Sequence, residues 1–277
     1  MKTLTQIISP IAAELQQFEA FFRQTLKAET EPMNSIMRYV LDSRGKRLRP
    51  ILVLLSAKLF GEINEQTLRA ATFVEMIHSA TLIHDDVVDS SDVRRGKASV
   101  KAHWDSHSAV LAGDYLLAKS MLLLSHPDDH GIIQEMLHTA AAMSEGELMQ
   151  NVVGLYHGSR NDNHNDSGCH DVTALQSQYI EIITRKTALL MRSCCVAGAL
   201  SVNALPEQIR QIAEFGLNFG ILFQLRDDIL DGENTESAEV LLPSYLTKTL
   251  KTLEGFLPTE PLEALNHLTE FCAKREG

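Results

Sequence analysis

Asp85 and Asp89 stand four residues apart in His84-Asp85-Asp86-Val87-Val88-Asp89, and Asp227 and Asp231 repeat that spacing in Asp227-Asp228-Ile229-Leu230-Asp231. On a helix each pair shares one face, where like charges destabilise by roughly 0.2–0.5 kcal/mol. One such pair is ordinarily a solvated helix face. Two copies, each closing a long apolar run, point instead to hard cations held by carboxylate oxygens. Mg²⁺ suits that donor set, because it takes oxygen ligands and commonly bridges protein carboxylates to phosphates.

Phosphate binding requires cations, and this acidic chain gathers them at few places. Lys46 and Arg49 are three apart, Arg94-Arg95 begins five residues past Asp89, and Lys186 follows Arg185. Any one of these pairs alone reads as a solvated face. Together they allow cation, anion and metal charges to alternate, with Arg gripping phosphate bidentately and Lys acting as a point charge. His78 lies two helical turns before Asp85 on the same face, although a lone helical histidine is more often packed or capping. Ala80 and Thr81, one turn beneath Asp85, are small and would not close a hydrophobic channel at that level.

These residues need long apolar helices to position them, and the periodicity supplies such helices. An amphipathic helix is expected over 3–28, a short one over Met33–Leu41, and others over Ile51–Phe60, Thr67–Asp89 and Ala109–Leu124. Further helices are expected over Ile132–Val153, Thr173–Leu200, Pro206–Leu230, Leu241–Phe256 and Pro261–Lys274. Arg94–Lys101 reads as a basic loop, residues 126–131 as a turn, and Gly232–Glu239 as a polar acidic stretch. No alternating period-two run bounded by hairpin signals is visible, so the expected fold is all-α, a single domain around a buried multi-helix core. Residues 156–170 are rich in His, Asn, Asp, Gly and Ser and read as a solvated surface loop. Their histidines (His157, His164, His170) and Cys169 lack metal-site spacing.

Composition bounds the partners. The hydrophobic share of 44% and charged share of 22% are ordinary for a globular chain of 277 residues. A net charge of −11 argues against a nucleic-acid partner, which requires a basic footprint. Four cysteines without a spaced framework suit reduced thiols. Met1–Pro10 has no apolar signal core, and no stretch reaches the roughly 18 apolar residues of a membrane span. A cytoplasmic location is the expectation.

Gly45-Lys46-Arg47-Leu48-Arg49-Pro50, the Asp85–Asp89 motif followed by Arg94-Arg95-Gly96, Gly113-Asp114, Lys186-Thr187-Ala188 and Phe223-Gln224-Leu225-Arg226-Asp227-Asp228-Ile229-Leu230-Asp231 together resemble the trans-type polyprenyl diphosphate synthases. The likeness runs in the right order over roughly residues 35–231. It implies an isoprenoid synthase-type helical bundle with the acidic motifs facing a central cavity, Mg²⁺ as cofactor, and a homodimer. The implied substrates are isopentenyl diphosphate and an allylic prenyl diphosphate, joined after Mg-assisted ionisation of the allylic one. By the resemblance, Lys46, Arg49, His78 and Arg95 match isopentenyl diphosphate ligands, and Arg94, Lys186, Thr187 and Gln224 match allylic diphosphate ligands. Asp85, Asp89 and Asp227 match metal ligands, with Asp231 beside them and Asp86 and Asp228 in support. Ala80 and Thr81 stand where short-product members carry bulky aromatics, which implies a product longer than fifteen carbons.

The chain departs from the family pattern after Asp231, where a lysine-bearing segment is expected and the sequence passes directly towards Val240-Leu241. No lysine here, Lys248 included, takes that role. The favoured reading is an omitted mobile lid, because deleting an active-site helix would expose core. A prenyltransferase-like subunit without turnover stays open as an alternative. So does a class I terpene cyclase, although that class replaces the second acidic motif and needs no isopentenyl site.

Overall fold

Helix boundaries fall where the sequence supplies caps. Asn64 forms a reciprocal capping box with Thr67, Asp105 accepts from the Ser108 amide, and Pro206 takes the first turn of its helix. In the computed structural model, which describes residues 2–43, 45–158 and 172–275, the chain forms α1 (Leu4–Ile7), α2 (Ala12–Thr25), α3 (Glu31–Asp42), α4 (Leu48–Phe60) and α5 (Glu65–Val88). A short antiparallel ribbon follows, β1 (Val93–Arg94) with β2 (Lys97–Ala98). Next come α6 (Val100–His103), α7 (Ser106–Leu123), α8 (His130–Gly158), α9 (Val172–Ile183) and α10 (Leu189–Ser201). The last three are α11 (Pro206–Asp231), α12 (Thr235–Thr252) and α13 (Glu260–Lys274). The all-α expectation is met.

Four expectations are corrected. The helix read over 3–28 is broken by a 3₁₀ turn at Ser9–Ile11, since Pro10 cannot continue the i→i−4 ladder. The basic loop contains the ribbon, turned by Arg95-Gly96 with φ of 53° and 75°, the positive pair that a two-residue hairpin turn demands. The helix read over Thr173–Leu200 is interrupted by a π turn at Thr184–Ala188. The polar stretch Gly232–Glu239 mostly belongs to α12. Residues 159–170 of the expected surface loop, Cys169 among them, lie outside the described residues.

Two compact units are distinguished. One comprises Ile8–Gln134 and Ala197–Ala204, here the N-terminal unit; the other, here the C-terminal unit, comprises Met1–Ile7, Glu135–Val196 and Leu205–Gly277. In the N-terminal unit α5 is buried nearly all round, with Ala70, Phe73, Val74 and Met76 fully inaccessible. It packs on α2, α4 and α7. Gly113 on α7 allows the closest approach: a Cβ there would lie 2.1 Å from His84 Nε2. The Gly113-Asp114 motif thereby acquires a physical role, with Asp114 Oδ1 3.5 Å from the same imidazole nitrogen.

The C-terminal unit is built on α11. Phe215 and Phe219 are fully buried and stack at 5.6 Å. Gly216 and Gly220, one turn apart, let α11 lie directly against backbone: a Cβ at Gly220 would meet Ala188 Cα at 2.5 Å, and one at Gly216 would meet Arg192 Cα at 2.8 Å. Helix α11 ends at Asp231, where the amides of Gly232 (φ 76°) and Glu233 both return to the Asp228 carbonyl. The chain thus turns directly into α12. Ala238, Leu241, Leu242 and Tyr245 of α12 pack on Ile183, Ala188, Ile221 and Leu225.

Gly220→Ala would force α11 away from the π turn. The expected cost is about 1–3 kcal/mol of stability, seen as a lower urea midpoint. An unchanged midpoint would show that the two segments separate freely.

Candidate active site

The first acidic motif lies at the C-terminal end of α5, where unpaired carbonyls already carry partial negative charge. Asp86 turns inward, is 3% exposed, and is gripped by the Arg94 guanidinium through Nε at 2.8 Å and Nη2 at 2.5 Å. Asp85 is half-buried, and Asp89 is exposed as the helix cap. The three carboxylates therefore divide, with Asp86 neutralised within the fold and Asp85 and Asp89 sharing the other face.

The ribbon that carries Arg94 and Arg95 is fastened to the C-terminal end of α3. Arg95 Nη1 donates to the Ser43 carbonyl at 2.9 Å, Lys97 Nζ to the Asp42 carbonyl at 3.1 Å, and the Tyr39 hydroxyl to the Ala98 carbonyl at 2.7 Å. Cations at a helix C-terminus are favourable partners for its open carbonyls. Gly45 lies directly beneath Arg95, since a Cβ there would lie 2.7 Å from the Arg95 guanidinium. Arg47, which sequence reasoning passed over, is a scaffold cation: it begins α4 in the left-handed region, pairs with Glu19 at 2.9 Å and Glu75 at 2.6 Å, and lies over the Phe22 ring at 4.9 Å. The available signal was Glu75, a carboxylate inside an apolar run that needs a partner.

Arg49 is half-buried and Lys46 exposed at the start of α4. Burial, and then the charges of Arg49, Arg95, Arg94 and Arg47, hold the His78 imidazole well below the ordinary histidine range. Four of the expected anion-binding groups, Arg49, His78, Arg94 and Arg95, thus share one electrostatic neighbourhood. Ala80 is fully buried, and Thr81 is half-buried with its hydroxyl on the His78 carbonyl at 3.0 Å.

In the C-terminal unit the π turn carries Arg185, Lys186 and Thr187. Such turns recur at functional sites because they displace side chains from the regular helical track. This one docks on α8 at Gly146, where a Cβ would meet Arg185 Cβ at 2.7 Å and the Lys186 amide nitrogen at 2.9 Å. The residues flanking Gly146 take one cation each. Arg185 pairs with Glu145 at 2.6 Å, and Lys186 pairs with Glu147 at 2.7 Å while donating to Gln150 at 2.9 Å.

A cavity of about 540 Å³ opens beside this turn, lined among others by Lys186, Thr187, Gln224 and Asp228. Its polar wall is one hydrogen-bonded chain. Thr187 donates to Gln224 Oε1 at 2.8 Å, Gln224 Nε2 donates to Asp228 Oδ1 at 2.7 Å, and the Tyr179 hydroxyl donates to Asp228 Oδ2 at 2.5 Å. Tyr179 escaped the sequence reading, its only signal being its place one α-turn and a π turn before Thr187. Burial raises the carboxyls of both Asp227 and Asp228 above the usual range, and burial with the Asp228 charge raises the Tyr179 hydroxyl far more, so that it remains a donor. Asp227 is ion-paired with Arg275, and Asp231 is exposed.

Among the described residues no three His, Cys, Asp or Glu side chains converge on one point as a complete metal cage. Two carboxylates per motif form a partial donor set that would fit a hard cation completed by oxygen ligands from outside the chain.

A family model described as polyprenyl synthetase matches residues 30–239. The chain is 32% identical, over 81% of its length and 65% of the relative's, to all-trans-nonaprenyl-diphosphate synthase (geranyl-diphosphate specific) of Rhodobacter capsulatus. It is 34% identical, over 84% of its length and 68% of the relative's, to heptaprenyl diphosphate synthase component 2 of Geobacillus stearothermophilus. The chain thus spans about two thirds of the length of these curated relatives. Among solved structures it is similar to a polyprenyl synthase of Caulobacter crescentus CB15, complexed with calcium and isoprenyl diphosphate, with a TM-score of 0.84 at 24% identity over 99% of this chain and 98% of that one. A decaprenyl diphosphate synthase of Rhodobacter capsulatus gives 0.83 at 23% identity over 99% and 100%. These likenesses show the all-α isoprenoid synthase fold.

Two outcomes test this geometry. Tyr179→Phe removes a donor from Asp228 and should move its carboxyl further upward in an NMR titration; an unmoved titration would disconnect the two. His78 is neutral in the fold where the unfolded chain takes up a proton, so its contribution to stability is present above about pH 6.5 and is lost as pH falls below it. His78→Gln should flatten the dependence of the urea midpoint between about pH 7.5 and 5.5.

Proposed function

The chain belongs to the polyprenyl synthetase family, and from that membership we propose that it condenses isopentenyl diphosphate with an allylic prenyl diphosphate to give a trans polyprenyl diphosphate longer than fifteen carbons. The observation that carries the reading is the chain Thr187–Gln224–Asp228–Tyr179 beside Lys186 on the π turn, which fixes hydrogen-bond donors, one cation and one carboxylate around a single cavity.

In this reading Lys186, Thr187, Gln224 and Arg94 bind the allylic diphosphate, and Lys46, Arg49, His78 and Arg95 bind isopentenyl diphosphate. Asp85, Asp89, Asp227 and Asp231 hold Mg²⁺, with Asp86 and Asp228 as their inner supports. When bound, Mg²⁺ neutralises the diphosphate leaving group. The chain's own part is electrostatic, with guanidinium, ammonium and hydroxyl donors fixed in advance where charge develops as the C–O bond ionises. Neutral His78 offers a hydrogen bond to a diphosphate oxygen without joining the repulsion among the arginines. Excluding water preserves the allylic cation until the isopentenyl double bond attacks it, and the departing diphosphate can accept the proton then lost. No side-chain general base is required.

Small residues at Ala80 and Thr81 support a long product, as do the nonaprenyl and heptaprenyl products named for the relatives. Exposed Val110, Leu111, Met121 and Leu122, recurring three turns apart on α7, support a homodimer interface. The Geobacillus relative is named as one component, which makes pairing with a different chain the alternative. Buried cysteine thiols support a reducing, cytoplasmic setting.

The test is incubation of purified protein with Mg²⁺, radiolabelled isopentenyl diphosphate and geranyl, farnesyl or geranylgeranyl diphosphate, with chromatography of the products. Products longer than C15 are expected. No elongation with any primer would sink the enzymatic reading, and elongation only after adding a second chain would favour the component reading. Asp85→Ala and Asp227→Ala should each lower turnover by at least about 10²-fold at unchanged helical content.

A further inference from the structure

Arg275, directly after α13, occupies the second acidic motif. Its guanidinium is ion-paired with Asp227 and lies over the Phe223 ring at 4.3 Å, while its carbonyl accepts from Arg226 Nε at 2.9 Å and Nη2 at 2.5 Å. The side chain is 11% exposed and the Asp227 side chain 31%. This is a built contact: α13 is anchored by buried Leu262, Leu265 and Leu268, Arg226 fixes the backbone, and Phe223 fixes the plane of the guanidinium.

Resting on the metal reading of Asp227, we propose that Arg275 is a resident counter-ion which competes with the divalent cation for Asp227 and which, once displaced, binds the diphosphate. The physical reason is local. Tyr179 and Gln224 already engage both oxygens of Asp228, and Asp231 is exposed, so Asp227 is the carboxylate of this motif with a full counter-charge among the described residues. A divalent cation on Asp227 and a guanidinium at ion-pair distance repel each other, so binding of one weakens the other. A guanidinium released one side-chain length from a metal–diphosphate complex has planar donors that match phosphate oxygens bidentately. The contact thus ties metal occupancy of α11 to the position of α13.

The full chain should be titrated with Mn²⁺, followed by electron paramagnetic resonance, in an Asp85→Asn, Asp89→Asn background so that the second motif reports alone. Without diphosphate, Arg275→Gln should bind Mn²⁺ more tightly by roughly 5- to 150-fold. With Mn²⁺ saturating, its affinity for inorganic pyrophosphate, read by calorimetry, should fall by roughly 10-fold or more, and Arg275→Lys should recover part of that loss. Unchanged Mn²⁺ affinity would overturn the competition, and unchanged pyrophosphate affinity would overturn the anion-binding role. Asp227→Asn separates the premise from the proposal. If Mn²⁺ binding survives that change, the metal reading of Asp227 fails whatever Arg275 does.

Discussion

The arrangement on which the rest depends is electrostatically unfavourable. Two runs of aspartates end two helices, α5 and α11, at the termini where the helix dipole is negative. Each aspartate repels its neighbour one turn away and is repelled by the carbonyls behind it. Such a placement persists only if other groups supply positive charge or hydrogen-bond donors, and each unit does so separately. Arg94 covers Asp86, Arg275 covers Asp227, and Tyr179 with Gln224 covers Asp228. Asp89 and Asp231 stay exposed. Asp86, Asp227 and Asp228 are instead paired or hydrogen-bonded within their own units.

The same economy governs the cations. Arg95 and Lys97 satisfy the carbonyl end of α3, Arg47 is enclosed by Glu19, Glu75 and Phe22, and Lys186 rests on Glu147 and Gln150. A cation held this way loses little further freedom when an anion arrives, which is the condition for electrostatic preorganisation. Glycine makes the close fits possible. Gly146 admits the π turn against α8, and Gly216 with Gly220 admit α11 against the segment that follows it. The direct passage from α11 into α12 is accommodated because α12 itself supplies the apolar cover over Ile221 and Leu225.

Much of this was legible in the residues. Three-and-four apolar spacing located the helices, and paired aspartates with clustered basic residues marked, in each unit, stretches where the structure gathers buried charge. The misreadings have local causes. A two-residue hairpin turn made by Arg95 and Gly96 gives no period-two run for a pattern to detect. A π turn adds one residue to a helix without changing its composition. Tyr179, Arg47 and Arg275 went unrecognised because a tyrosine or arginine within or beside a helix has no distinguishing spacing until its partner is known.

The sequence by itself determined which charges exist and which share a helix face, because those depend on residue type and the 3.6-residue period. Only the tertiary structure decided which carboxylates are neutralised within the fold and which face outward. Asp86 meets Arg94 across 8 positions, Asp228 meets Tyr179 across 49, and Asp227 meets Arg275 across 48. Pairings over such separations are set by how helices pack, and packing rests on side-chain volumes and glycine notches distributed along the whole chain.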